Sequence, residues 1–577
     1  MKKDVLKKMI QTAKGDAPAQ LVLKNAKVVD VFNGEIIDGD VAIYNGSIVG
    51  VGHYSGEQEV NLKGKYVAPG FIDSHIHIES AYVTPEEFGR LAVPHGTTTI
   101  VADPHEIVNV CGVDGMNYML EAAKGTKLDI RYMVPSCVPS TPFEHAGAVL
   151  EAADMEVPMK EEQVLGLGEF MNAVGVVNTD DGVLDKLLLA HSMGKVIDGH
   201  SPGLTGETLN AYIAAGVRTD HECTTVEEMK ERISKGMYVL LRQGSACHDL
   251  ERLIPGITPY NSRMCLLCSD DRQPKTIFSE GHLESHLRML VKHGIDAVTA
   301  VSMATINAAR CYGLDNRGAI APGYKADIVV LDDLESFHVD AVYIDGEKTA
   351  EQGRYLPEIY HTKGEKVKGR MNVKDFSIDK LRLPLKSDKV KVIDILPGGV
   401  VTGCGTAVVN LDDKGCFKYT ANQDIVKVAV VERHNGTGNM AVGLIRGYGI
   451  KAGAVAVSVA HDSHNIIVVG VNDEDMATAV QELIKCGGGV ILVKDGEVLE
   501  NMPLPIAGLM SDKSGEWVSE QLDKIHHVAY ESLGIKGDVE PVMTLCFMAL
   551  PVIPELKITD MGLFDVTRFE FVPVEAD

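Results

Sequence analysis

The run Pro69-Gly70-Phe71-Ile72-Asp73-Ser74-His75-Ile76-His77-Ile78-Glu79-Ser80 places two imidazoles one residue apart at the end of a short apolar stretch. Side chains alternate along a strand, so His75 and His77 leave the same face, about 7 Å apart along the chain. Two neutral imidazoles so placed can share one divalent metal ion. A His-x-His pair alone is weak, since 20 His in 577 residues supply about 0.7 such pairs by chance. The setting strengthens it, because a Gly-terminated loop feeds a strand that ends in Asp, His, His and Glu.

Polar residues follow later apolar runs in the same manner. Asp103-Pro104-His105-Glu106 follows residues 98–102, Glu169 follows 164–168, and His200 follows 196–197. Asp220-His221-Glu222 follows 217–219, Arg242-Gln243-Gly244-Ser245 follows 238–241, and Ser269-Asp270-Asp271 follows 264–268. His75, His77, Glu169, His200, His221 and Asp270 then form a set of four imidazoles and two carboxylates. Three or four such groups hold one metal with an open position, and six suit two metals with a carboxylate between them. Glu169 is the candidate bridge. The chemistry supplied by such a centre is water made acidic enough to attack at cellular pH. Asp270 is placed to take the nucleophile's proton and return it to a leaving group, which is hydrolysis at an sp² carbon.

These residues need strands to carry them. Eight apolar runs of strand length, at Phe71, 98–102, 130–134, 164–168, 196–197, 217–219, 238–241 and 264–268, alternate with helical stretches. Eight strands in about 250 residues suit a (β/α)₈ TIM-like barrel, whose active site lies at the C-terminal strand ends.

At 62.3 kDa the chain is too long for one core, and about two to four domains are expected. Residues 21–62 alternate apolar and polar around Asn33-Gly34, Asp38-Gly39 and Asn45-Gly46, a series of β-hairpins. The same texture returns near Gly318-Ala319-Ile320-Ala321-Pro322-Gly323 and 342–346. The expected plan is a small split β-sandwich domain (1–68 and 317–378), the barrel (69–316) and a C-terminal α/β domain (379–577).

Composition narrows the partners. With 81 acidic and 55 basic residues the net charge is −26, which repels phosphate backbones and favours a neutral or cationic small molecule. Neither a phosphate-cradling P-loop nor a convincing dinucleotide fingerprint occurs. No apolar run approaches a membrane span and no signal-peptide core follows Met1-Lys2-Lys3-Asp4. Eleven scattered cysteines fit a reducing cytoplasm, and Cys265 and Cys268 read as buried strand residues. The expectation is a cytoplasmic homo-oligomer with no nucleic-acid or membrane partner.

The motifs together resemble the amidohydrolase superfamily and, within it, adenine deaminases of the bacterial type. The resemblance rests on the Pro69–Ser80 run, Asp103-Pro104-His105-Glu106-Ile107, Gly168-Glu169-x-Met171-Asn172, Cys268-x-Asp270-Asp271-Arg272, Ala460-His461-Asp462-Ser463-His464-Asn465 and segment 549–566. Segment 318–333 also looks like that superfamily's return from barrel to sandwich. The resemblance implies hydrolysis of adenine to hypoxanthine and ammonia, in purine salvage or catabolism, with two divalent metals per chain. Manganese or iron is favoured and zinc accommodated. His221 joins Glu169 and Asp270 as catalytic; either carboxylate can deliver the ring-nitrogen proton.

Other residues are open between roles. Asp103, His105 and Glu106 either read the purine edge or support the metal-bound histidines. Arg242 and Ser245 are candidate substrate contacts or ordinary loop residues, and Glu79 and Glu222 orient a ligand or face solvent. His145, His191, His282, His286 and His293 read as structural or exposed. His434, His461 and His464 are expected to form a lid over the barrel mouth of their own or a neighbouring subunit, against the plainer reading of a polar turn.

The competing activities each lack something. A hydantoinase-like enzyme needs a Lys where Glu169 stands, and no Lys occurs in 164–174. An N-acetyl amino sugar deacetylase-like enzyme needs a phosphate grip and lacks so long a C-terminal part. Cytosine- or guanine-deaminase-like members carry His-x-x-Glu where His200-Ser201-Pro202-Gly203 occurs. A non-catalytic scaffold would have shed ligands that are all present.

Overall fold

The computed structural model describes residues 2–396 and 400–576. Eight parallel strands do follow the apolar runs. Phe71–Ile76, Thr97–Ala102, Asp129–Val134, Val164–Phe170 and Val196–Gly199 form a five-stranded sheet, and Thr219–Asp220, Tyr238–Arg242 and Cys265–Cys268 a three-stranded one. Thr97–Ala102 and Cys265–Cys268 are buried at every residue, the signature of parallel strands covered on both faces. Backbone hydrogen bonds span both seams. The Arg218 N–H donates to the Ile197 carbonyl at 2.9 Å, and the Asp270 N–H to the His75 carbonyl at 3.0 Å. The sixth strand lies a residue or two later than expected because residues 217–218 still belong to the connection out of the preceding helix, Gly206–Ala214.

Helices between the strands start where side chains satisfy their free N–H groups. Asp180 accepts from Gly182 and Val183 ahead of Asp181–Ser192, and Thr225 with Glu228 forms a capping box for Val226–Ser234.

The flanking β segments share one nine-stranded sheet. Ile328–Leu331 pairs antiparallel with Tyr66–Pro69, placing Ile328 opposite Pro69. The first three strands form the expected hairpins, but Gly56–Asn61 and Tyr66–Pro69 both run parallel to Ala19–Asp30. That strand is twelve residues long and its pairing shifts between Leu23 and Ala26, so one edge accommodates two short partners in succession.

The C-terminal part is built on an eight-stranded, largely antiparallel sheet, with the helices Asp473–Cys486 and Gly515–Glu531. A small three-stranded sheet begins at Leu556–Thr559. No helix among the described residues is long and apolar enough to cross a membrane, and the eleven cysteines are free.

Lys557 in Leu556–Thr559 is fully buried, and its Nζ donates to the carbonyls of Val400 (2.8 Å) and Phe547 (3.0 Å). Burial away from carboxylates pushes its amine down to about 7. A base with a lowered folded pKa favours the neutral form in the fold. Its burial therefore costs most below about pH 7, and that cost is relieved as pH rises toward the unfolded value near 10. Relative to Lys557→Met, the parent should gain on the order of 2 kcal/mol between about pH 7 and pH 9, read from denaturant unfolding at each pH. A pH-independent difference would show that Lys557 is charged in the fold.

Candidate metal and active centre

The strand ends are tied to one another before they present any ligand. Asp73 accepts the Ser269 N–H at 3.0 Å and the Ser269 hydroxyl at 2.5 Å, joining the first and eighth strand ends. The Tyr212 hydroxyl donates to the Phe170 carbonyl at 2.5 Å and accepts the His200 N–H at 3.0 Å. Fully buried Arg232 pairs with Asp220 and donates to the Ser201 carbonyl at 2.6 Å, while Asp220 accepts the Ser201 N–H at 3.0 Å. This framework fixes the backbones that carry His75, His200 and His221.

The six residues expected as ligands converge. His75 and His77 bring their Nε2 atoms to 3.1 Å, and both face Asp270 Oδ1, at 3.6 and 3.2 Å. Glu169 sits at the centre, with Oε1 3.3 Å from His77 Nε2 and Oε2 2.8 Å from His200 Nδ1 and 3.2 Å from His221 Nε2. His77 Nδ1 donates to the Asp103 carbonyl at 2.9 Å, which leaves its Nε2 lone pair turned into the cluster. Two further buried atoms, His105 Nδ1 and Asp103 Oδ1, have no hydrogen-bond partner. Converging imidazoles and carboxylates with orphaned acceptors fit divalent cations of the Mn, Fe or Zn kind.

Local electrostatics keep both carboxylates charged. Burial raises Glu169, but the surrounding imidazoles, His200 and His221 among them, outweigh it and hold the group well below the usual range. Burial likewise raises Asp270, and His77 and Arg242 reverse the effect. Arg242 Nη1 lies 3.0 Å from Asp270 Oδ2, and the same guanidinium pairs with Glu222 and, at 2.9 Å, Asp249.

Asp270 faces the histidines for a reason other than strand alternation, because the eighth strand ends at Cys268. Asp270 has φ of 59° and its carbonyl accepts the His77 N–H at 2.9 Å. This left-handed residue, uncommon outside glycine, turns its carboxylate toward His77. Asp271 is left on the side of Ser80 and His461. Burial and the adjacent Asp270 charge push Asp271 up to about 6.

The cavity above the cluster has strand-end walls of His77, His105, Glu169, Met171, His221 and Arg242. Its roof comes from Val400, His461, Asp462, Phe547, Leu550, Val552 and Ile553. The Phe547 ring stacks on His461 with centroids 4.4 Å apart and planes 14° from parallel.

Residues 66–349 match the amidohydrolase family, and residues 399–570 match the adenine deaminase C-terminal domain. The chain is 61% identical over 576 residues to adenine deaminase 2 of Desulfotalea psychrophila, covering 100% of both chains. It is 52% identical over 578 residues to the adenine deaminase of Ligilactobacillus salivarius, again covering 100% of each. This chain belongs to the adenine deaminase family. The adenine deaminase of Halalkalibacterium halodurans, 44% identical over 99% of this chain and 98% of its own, extends the same relation.

Several residues sit elsewhere than their sequence setting suggested, and others where it placed them. Ser245 does not line the cavity. Its hydroxyl donates to Thr276 Oγ1 at 2.8 Å and accepts the Gln273 N–H at 2.9 Å, so it ties two loops together. His434 is not part of the roof either; its Nε2 donates to the Ser463 carbonyl at 2.7 Å and braces the 460–465 loop from behind. His464 is fully buried and turned to Glu106, leaving His461 as the loop histidine on the cavity. Glu222 is no solvent-facing residue, since it lies 3.3 Å from His221 Nε2 and pairs with Arg242. Asp103 accepts the Glu169 N–H at 2.8 Å, a supporting contact. Asp271 and Asp462 also line the cavity; the sequence signal was their place beside Asp270 and His461. His282 is buried and accepts from or donates to Thr97 Oγ1 at 2.7 Å, and His145 pairs with Asp560 at 2.6 Å, both outside the cavity.

Proposed function

We propose that the cluster at the strand ends is a centre for two divalent metals, manganese or iron in preference to zinc, at which the chain hydrolyses adenine to hypoxanthine and ammonia. The observation that carries this reading is the convergence of His75, His77, His200 and His221 on Glu169 and Asp270. It occurs in a chain matched to adenine deaminases along its whole length. His75 and His77 would hold one ion with Asp270, and His200 and His221 the other, with Glu169 between them. Bound divalent metal supplies water acidic enough to attack at neutral pH.

The chain's own groups do the rest. Asp270 takes the proton lost by the nucleophile, and Arg242 keeps it a weak base that passes the proton on to the departing ammonia. Of the attacking water's two protons, one reaches the ring nitrogen through Glu169 or Asp270 as C6 becomes tetrahedral and the other leaves with ammonia through Asp270, while His221 orients the attack. The roof of Phe547, Leu550, Val552 and Ile553 gives the flat base an apolar cover and excludes bulk water. The roof belongs to the same chain as the metal cluster, so His461 acts as a lid residue of its own subunit. We place these parts in a closed (β/α)₈ barrel at 69–316. The split sandwich domain occupies 1–68 and 317–378, and the C-terminal domain 379–577. The enzyme works as a cytoplasmic homo-oligomer.

An ammonia-release assay over a panel of nucleobases, nucleosides and nucleotides tests the reading. Free adenine should be turned over in preference to adenosine and AMP, because the roofed cavity is lined by Glu106, Glu222, Asp270, Asp271 and Asp462, which repel a phosphate. Comparable kcat/KM for adenine and AMP would contradict it.

A further inference from the structure

Glu106 lies beside the metal cluster, yet the reaction outlined above gives it no work. It is buried and held by groups far away in sequence. His461 Nδ1 is 2.7 Å from its Oε1, and His464 Nε2 meets its Oε2. The three could be mistaken for a third metal site, because their nitrogen and oxygen atoms lie close together. The tautomer of His464 argues against that. The Ala460 N–H donates to His464 Nδ1 at 3.1 Å, so Nδ1 bears no hydrogen and Nε2 carries the proton that points at Glu106. A protonated nitrogen is no metal ligand. The group is instead a carboxylate clamped by two imidazole N–H donors.

The clamped carboxylate has one further neighbour. His105 Nε2 lies 3.3 Å from Glu106 Oε1, and the opposite ring nitrogen, Nδ1, lies 3.2 Å from Glu169 Oε1. That Nδ1 is buried without a hydrogen-bond partner, and the His105 ring packs against His77 with centroids 4.5 Å apart. An anion at Nε2 holds the hydrogen there and leaves Nδ1 as a lone pair. A lone pair aimed at a carboxylate oxygen is repulsive unless a cation lies near both.

We propose that Glu106, clamped by His461 and His464 of the C-terminal segment, is a positioning residue that fixes the tautomer of His105 and turns its Nδ1 toward the metal centre beside Glu169. The proposal rests on the metal reading given above. It gives the C-terminal segment a second task besides roofing the cavity, since that segment completes the electrostatic support of the metals. Carboxylates that fix a histidine in this way typically contribute about 10- to 100-fold to metal affinity.

The test is Mn²⁺ affinity of the full chain, measured by chelator competition with metal content read by mass spectrometry. Glu106→Gln should weaken Mn²⁺ binding by about 10- to 100-fold, because an amide cannot accept from three N–H donors. His461→Ala should weaken it as well, and His461→Gln, whose amide still donates to Glu106, should recover much of the loss. His145→Ala is the control for mere interface damage. It removes the 2.6 Å contact with Asp560, a different contact between the first half of the chain and the C-terminal segment, outside the cavity. It should leave Mn²⁺ affinity within about twofold of the parent. Unchanged affinity in Glu106→Gln would overturn the proposal alone, provided the parent binds metal. Equal weakening by His145→Ala would reduce Glu106 to an interface contact and also overturn it. A parent chain that binds no Mn²⁺ would sink the metal reading itself and the proposal with it. Should Glu106→Gln fail to fold, the His461 pair decides, since loss in Ala without recovery in Gln contradicts the positioning role.

Discussion

Asp270→Asn should lower the turnover of adenine at least about 10²-fold while leaving metal bound, the usual scale for losing a general acid/base. The carboxylate faces His77 Nε2 at 3.2 Å and Arg242 at 3.0 Å, which keep it charged, and it lines the cavity. Asn keeps the shape and one acceptor oxygen but cannot carry a proton between nucleophile and leaving group. The loss should therefore appear in kcat more than in KM. Asp271→Asn is the matched comparison, because Asp271 lines the same cavity from the side of Ser80 and His461. It should cost less. If Asp271→Asn proves the more damaging change, the shuttle has been assigned to the wrong carboxylate.

Glu169→Gln should lower bound metal toward about one ion per chain and remove most activity. Its two oxygens face different histidines, Oε1 toward His77 and Oε2 toward His200 and His221. Two cations close together need an anion between them. A neutral amide offers one carbonyl oxygen and a nitrogen that donates where a lone pair is needed. Metal content by mass spectrometry, measured alongside adenine turnover, separates the outcomes. Two ions retained with near-normal turnover would rule out a bridging Glu169.

The two predictions separate the roles of neighbouring carboxylates. Loss of Asp270 should disable proton transfer in a loaded centre, whereas loss of Glu169 should unload it. Glu106→Gln belongs with the second class but acts through His105, and its signature is weaker affinity rather than an absent ion.

How far the sequence could be read depended on the distance over which each feature is determined. The order of the candidate ligands was legible because they fall at the ends of apolar runs, and a parallel strand buried on both faces delivers its last residues to one end of the sheet. His75 and His77 share a face by strand alternation, Glu169 sits near the end of its strand, and His200 and His221 directly follow theirs. These are local relations. Tertiary structure decided what local pattern cannot contain. Asp270 was chosen over Asp271 by a left-handed turn and by backbone hydrogen bonds to the first strand, 193 to 195 residues away. Ser245 went to a loop contact because Gln273 and Thr276 reached it first. Glu222 was drawn into the centre by Arg242, 20 residues on. The roof from Val400 and the segment around Phe547, and the grip of His461 and His464 on a carboxylate more than 350 residues earlier, arise only when separate segments pack. Burial then leaves each polar group to find its partner among whatever the fold brings near, and no spacing along the chain encodes that choice.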